Sequence, residues 1–141
     1  MEKDRPDLAV GGDQLGPLGH TAVSLGIGGG VWAATGEPMA LPAAAATGVF
    51  NDVDHALDYY LIYVKRDSRR MFLLFHGWEY SLAGLALMAL AWYQPIVLAA
   101  VLGHLGHLIG DQIFNRPSHP LAYSIAFRIS TRFERARAFA R

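Results

Sequence analysis

Residues 71–111 read MFLLFHGWEYSLAGLALMALAWYQPIVLAAVLGHLGHLIGD, an apolar run broken once, at Tyr93-Gln94-Pro95. How that break is read decides the fold. If Pro95 only kinks one long helix, His76 and His107, 31 residues apart, stand about 46 Å from each other and share nothing. A hairpin at Gln94-Pro95 brings them side by side, and proline suits the first turn of a helix. The polar groups cluster only under the hairpin, so an antiparallel pair is expected. In its second arm, His104, His107 and Asp111 fall at i, i+3 and i+7, within roughly 60° of one another on a helix. Three polar groups in an apolar setting, where an unpaired one costs roughly 2–7 kcal/mol, need partners.

The rest of the chain sets the environment. Its 141 residues fit one domain, and 52% hydrophobic against 17% charged residues, with positive mean hydropathy, point to a membrane-embedded protein. Each arm of the hairpin holds only about 14 to 16 residues free of strongly polar groups, against roughly 20 for a full span. Twelve basic and twelve acidic residues cancel, so no nucleic-acid partner is expected. The lack of cysteine excludes disulfides and thiolate ligands and leaves His, Asp and Glu to hold any metal.

Residues 1–17 read as a polar tail without the features of a signal peptide. Residues 14–36 carry no charge and offer Gly26 and Gly30 as a small-x-x-x-small face for close helix packing. A turn at Gly36-Glu37-Pro38 leads to a second helix from Pro42 to about residue 64, and 65–70 form a basic loop. The tail holds Arg128, Arg132, Arg135, Arg137 and Arg141 with Phe127, Phe133 and Phe139 interleaved, which reads as a basic amphipathic helix on an anionic membrane face. The expected fold is all-α: an antiparallel bundle of about four short, apolar, membrane-associated helices over 18–115, followed by a basic C-terminal amphipathic segment over 116–141. Because the 65–70 loop and the arginine tail fall on one side, that side is expected to be cytoplasmic.

Run up, down, up and down, the four helices gather the ionisable groups at one end. His20 starts the first, Asp52, Asp54 and His55 lie near the end of the second, His76 and Glu79 open the third, and His104, His107 and Asp111 close the fourth. The other end has no histidine and only Glu37 as an acid. Histidines without a role would not sort in this way. Carboxylates and imidazoles so grouped suit a hard or borderline divalent metal, and the expected ligands are His20, Asp52, His55, His76, His107 and Asp111. His104 can equally face a neighbouring helix or stand behind the ligands.

The order Asn51-Asp52-Val53-Asp54-His55, then His76 behind a basic loop and ahead of an apolar helix, then His107-Leu108-Ile109-Gly110-Asp111, resembles the bacterial family of predicted membrane-bound metal-dependent hydrolases. The resemblance covers residues 18–115. Asn51 stands where that family has proline, Gly77 where it has serine, and Asp67-Ser68-Arg69-Arg70 where a His-Arg pair is common. It implies one or two divalent ions (zinc, manganese or iron) and a hydrolase of the inner membrane acting on a phosphoester or other small or lipid-linked anionic substrate. Asp54 or Glu79 would then be the general base, and Arg69, Arg70 or Arg128 would neutralise the substrate. Two other classes stay open: a non-catalytic integral membrane protein with a structural His/Asp site, and a transporter or proton path, which would string its ionisable groups across the bilayer.

Overall fold

The computed structural model describes residues 15–139, so the expected 1–17 tail lies almost wholly outside the described residues. Helix α1 (Pro17–Thr35) ends at Gly36, whose φ of 74° allows the turn into α2 (Ala40–Phe50). The hairpin forms as expected: α4 (Trp78–Leu90) stops before Gln94, and Pro95 opens α5 (Pro95–Phe114). Gly84 faces Val101 and Ser81 bonds His104, an antiparallel register. Ser24 meets Gly48 and Gly28 meets Leu41, so α1 and α2 are antiparallel too, while Ala44 beside Gly103 and Gly48 beside His107 make α2 and α5 parallel. The ionisable groups therefore do share one end.

Small residues let these helices approach. Ala40, Ala44 and Ala99 are fully buried with Val31 against them. A Cβ on Gly103 would strike the Ala44 backbone, and one on Gly28 would come within 2.8 Å of the Leu41 Cα. The packing face of α1 is His20, Ser24, Gly28 and Val31. Gly26 and Gly30, expected to pack, look into open space instead, because they lie off that stripe.

The second helix is not continuous. After Phe50 the chain tightens into a 3-10 turn (Asn51–Asp54), makes one α turn, α3 (His55–Tyr59), and widens into a π turn (Tyr60–Val64). In a 3-10 turn side chains at i and i+3 eclipse, which stacks His55 over Asp52. The expected C-terminal amphipathic helix is also broken: α6 (Ile125–Ser130) and α7 (Arg135–Ala138) are separated by Arg132 and Phe133, both with left-handed φ. This segment folds back on the loop before α4, with Tyr123 and Phe139 joining Leu73, Leu108 and Trp78 in a second core.

Among the described residues only α5 is long and apolar enough to cross a membrane. About four short, apolar, membrane-associated helices were expected, and only this one has membrane-like length and hydropathy. With 11 and 13 residues, α2 and α4 reach about 16 and 20 Å, against a hydrocarbon core of about 30 Å.

Candidate metal centre

His107 projects from α5 between two partners. Its Nδ1–H donates to the Gly48 carbonyl at 2.6 Å, and since a carbonyl only accepts, Nε2 carries the lone pair. His76 is set in the same way, with Nδ1 3.1 Å from Asp54 Oδ2 and Nε2 turned inward. The two Nε2 atoms face each other at 3.0 Å. Asp111 Oδ2 lies 3.3 Å from His76 Nε2 and 3.4 Å from His107 Nε2. Asp52 Oδ1 completes the group, 3.5 Å from His107 Nε2 and 3.9 Å from His76 Nε2.

With both rings neutral, four acceptors would converge here, and they would repel one another unless a metal ion or a proton stood among them. Ligands about 2.0–2.2 Å from a tetrahedral ion lie about 3.3–3.6 Å apart, close to the separations found. Ring Nδ1–H groups donated to a carboxylate and to a backbone carbonyl are also the usual outer partners of metal-bound histidine. The His and Asp groups fall into overlapping triads that could hold a metal ion, His20–His107–Asp111, Asp52–His76–His107 and Asp54–His55–His76. With no ion present a proton must serve: burial opposes charge on His76, but hydrogen bonds to Asp111 and Asp54 outweigh it and lift its pKa to about 9.

The other expected ligands border this group. His20 stacks on His107 with centroids 3.9 Å apart and places Nε2 3.2 Å from Asp111 Oδ1, while its buried Nδ1 has no partner among the described residues. His55 Nε2 lies 3.6 Å from Asp52 Oδ1. The Asp52 and His55 side chains are 28% and 29% exposed, whereas those of His76 and His107 are fully buried, so the cluster opens on one side only. Burial first, and the charge of His76 second, hold the His55 pKa below its ordinary value.

His76 sits on a loop, and the loop is held by charged side chains. Asp58 accepts from the Phe72 and Leu73 amides, and Asp54 accepts from the Phe75 amide at 2.7 Å. The Arg128 guanidinium donates to the carbonyls of Phe72, Leu73 and His76. His104 ties α5 to the same loop, with Nε2 donating to the Phe75 carbonyl at 2.9 Å and Nδ1 accepting from Ser81 at 2.6 Å, so it is no ligand. Asp58 and Arg128 are positioning residues that sequence reading missed in this role. The one available signal was that Asp58 lies one helical turn beyond Asp54.

Three expected roles change. Glu79 is no general base: its oxygens accept from the Ser124 hydroxyl and the Ile125 and Ala126 amides, capping α6. Arg128, only 2% exposed and committed to the carbonyls of Phe72, Leu73, His76 and Ser124, is not available to a substrate. Asp54 turns towards His76 and Phe75, so it orients a ring. Arg69 and Arg70 are exposed on the neighbouring loop, where Arg69 lies 3.7 Å from Asp67 and Arg70 pairs through its backbone with Glu134, away from the cluster's ligands.

Comparison of the chain with known protein families, with curated proteins and with solved structures returns no match, so the family resemblance rests on the quoted residues alone.

Proposed function

We propose that the protein is a membrane-associated, divalent-metal-dependent hydrolase of a phosphoester or a lipid-linked anionic substrate. The observation that carries this reading is the group of facing acceptors, His76, His107, Asp111 and Asp52, with a single open side at Asp52 and His55. Imidazoles mixed with carboxylates suit zinc, manganese or iron, in one or two ions. When bound, such an ion supplies a water whose pKa falls towards about 7, a nucleophile at neutral pH. Asp54 and the Gly48 carbonyl keep the two rings presenting Nε2. At the open edge the part-exposed His55 imidazole, with Nε2 3.6 Å from Asp52 Oδ1, is the nearest group able to accept the proton that hydrolysis releases, and the exposed Arg69 and Arg70 of the neighbouring loop add positive charge that attracts an anion.

Membrane association is supported by what the exterior lacks. Between residues 17 and 50 the only acid or base besides histidine is Glu37, and between 78 and 114 there are only Glu79, occupied by α6, and Asp111, buried in the cluster. Exposed Trp32, Trp92 and Tyr93 ring the far end, as aromatic residues do at a membrane interface. The basic 65–70 loop lies at the site end, and by the positive-inside tendency such a loop supports a cytoplasmic face of an inner membrane for that end.

A closed structural site is the competing reading, favoured by the near-complete burial of His20, His76, His107 and Asp111. Turnover separates the two. Metal-loaded protein in detergent should hydrolyse a p-nitrophenyl phosphoester, lose that activity to a chelator and regain it with metal. A folded, metal-loaded protein with no turnover and no exchangeable water ligand would establish the structural reading.

A further inference from the structure

Beside the cluster lies a groove of about 250 Å³ lined by Phe50, Asn51, Phe75, Tyr80 and His104. Its walls are mostly rings: Phe50 and Phe75 lie 5.4 Å apart and tilted, and Tyr80 stands edge-on to His104 at 6.0 Å. His104 brings no free polar atom, because Ser81 and the Phe75 carbonyl occupy both ring nitrogens. Besides His104, two polar groups line it: the half-exposed Tyr80 hydroxyl and the buried Asn51 amide. Asn51 is 3% exposed, and its Nδ2 finds no acceptor among the described residues. Such a buried amide is disfavoured until an acceptor reaches it. Asn51 and Phe75 immediately precede Asp52 and His76, so groove wall and candidate ligands alternate along the same two stretches of backbone.

We propose that this groove takes the alkyl chain of an amphiphilic ester whose anionic head meets the His76–His107–Asp111 centre, with Asn51 Nδ2 donating to an oxygen of that head. The assignment rests on the metal-centre reading and narrows its substrate class. An aromatic slot without a charged side chain favours hydrocarbon over a sugar or a nucleotide phosphate, and Asn51, next to Asp52 in the chain, offers a buried donor that has no partner among the described residues. Phe50, Phe75 and Tyr80 remain 56%, 40% and 50% exposed, so the slot is open to an entering chain.

Calorimetric titration of the metal-loaded, full-length protein with ethylphosphonate and octylphosphonate, monomeric and not hydrolysed, tests this. Each buried methylene tightens binding about fourfold, so octylphosphonate should bind at least about 100-fold more tightly. Tyr80→Ala and Phe75→Ala should each shrink that ratio while metal content holds. Asn51→Ala should weaken both probes about equally, by about tenfold, and leave the ratio intact. Metal-dependent binding of the two phosphonates with equal affinity would remove the groove and keep the centre. If the protein holds no metal yet binds octanol in preference to ethanol, the centre is lost and the chain-to-metal assignment with it.

Discussion

His107 and His76 face each other across 3.0 Å and reach that position by different routes. His107 belongs to a regular helix, where the spacing to Asp111 sets the geometry and Gly103 lets α5 lie close enough to α2 for the Gly48 carbonyl to hold the ring. His76 belongs to a loop without regular hydrogen bonds, so side chains from α3, α5 and α6 satisfy its backbone one group at a time. A ligand on a helix needs little beyond the pattern that makes the helix. A ligand on a loop needs a buried scaffold, and here that scaffold is ionic.

Breaking the loop's scaffold should have the largest effect. Arg128→Met strands the carbonyls of buried Leu73 and His76 and of half-buried Phe72 and should cost about 3–5 kcal/mol in chemical unfolding. Unchanged stability would mean that the loop holds itself.

Next comes pH. In metal-free protein the pKa of His76 rises from 6.5 unfolded to about 9 folded, so its contribution is complete below pH 6.5 and lost as pH climbs through 9. At about 1.36 kcal/mol per unit this amounts to about 3 kcal/mol, read from unfolding curves at several pH values. Metal-loaded protein should run the other way, since protons compete with metal and affinity rises with pH. A flat metal-free profile from pH 6.5 to 9 would show that no proton occupies the cluster.

The helix wall gives a smaller response. Gly103→Ala pushes α5 off the Ala44 backbone and should cost about 2–3 kcal/mol by thermal melting, whereas Gly26→Ala, facing open space, should be neutral or stabilising by up to about 1 kcal/mol. Equal effects at the two glycines would contradict the packing. Smallest is Asp54→Asn, which keeps the shape but weakens the grip on the His76 ring, and about 10–100-fold loss of metal affinity is expected in a competitive chelator titration. An unchanged affinity would release Asp54 from its positioning role.

The same contrast explains what could be read from the chain. The turn at Pro95 and the gathering of His20, Asp52, His55, His76, His107 and Asp111 at one end were legible, because both follow from local breaks and helical period. The scaffold was not. Arg128 bonds carbonyls 52 to 56 residues away, and Glu79 caps a helix 45 to 47 residues away, distances at which no periodicity operates. Read locally, a buried arginine and an exposed one look alike, so Arg128 suggested substrate binding and the tail suggested a single amphipathic helix. Gly28 rather than Gly26 or Gly30 lines the contact because the stripe through His20, Ser24 and Val31 was chosen by the neighbouring helices, which α1 alone does not disclose.

The most direct measurement is metal content together with X-ray absorption at the metal edge, on the native protein and on His107→Ala. One or two divalent ions per chain are expected, bound through imidazole nitrogen and carboxylate oxygen at about 2.0–2.2 Å and lost from the folded variant. A folded native protein that binds no divalent ion, its two Nε2 atoms sharing a proton across 3.0 Å, would contradict this expectation.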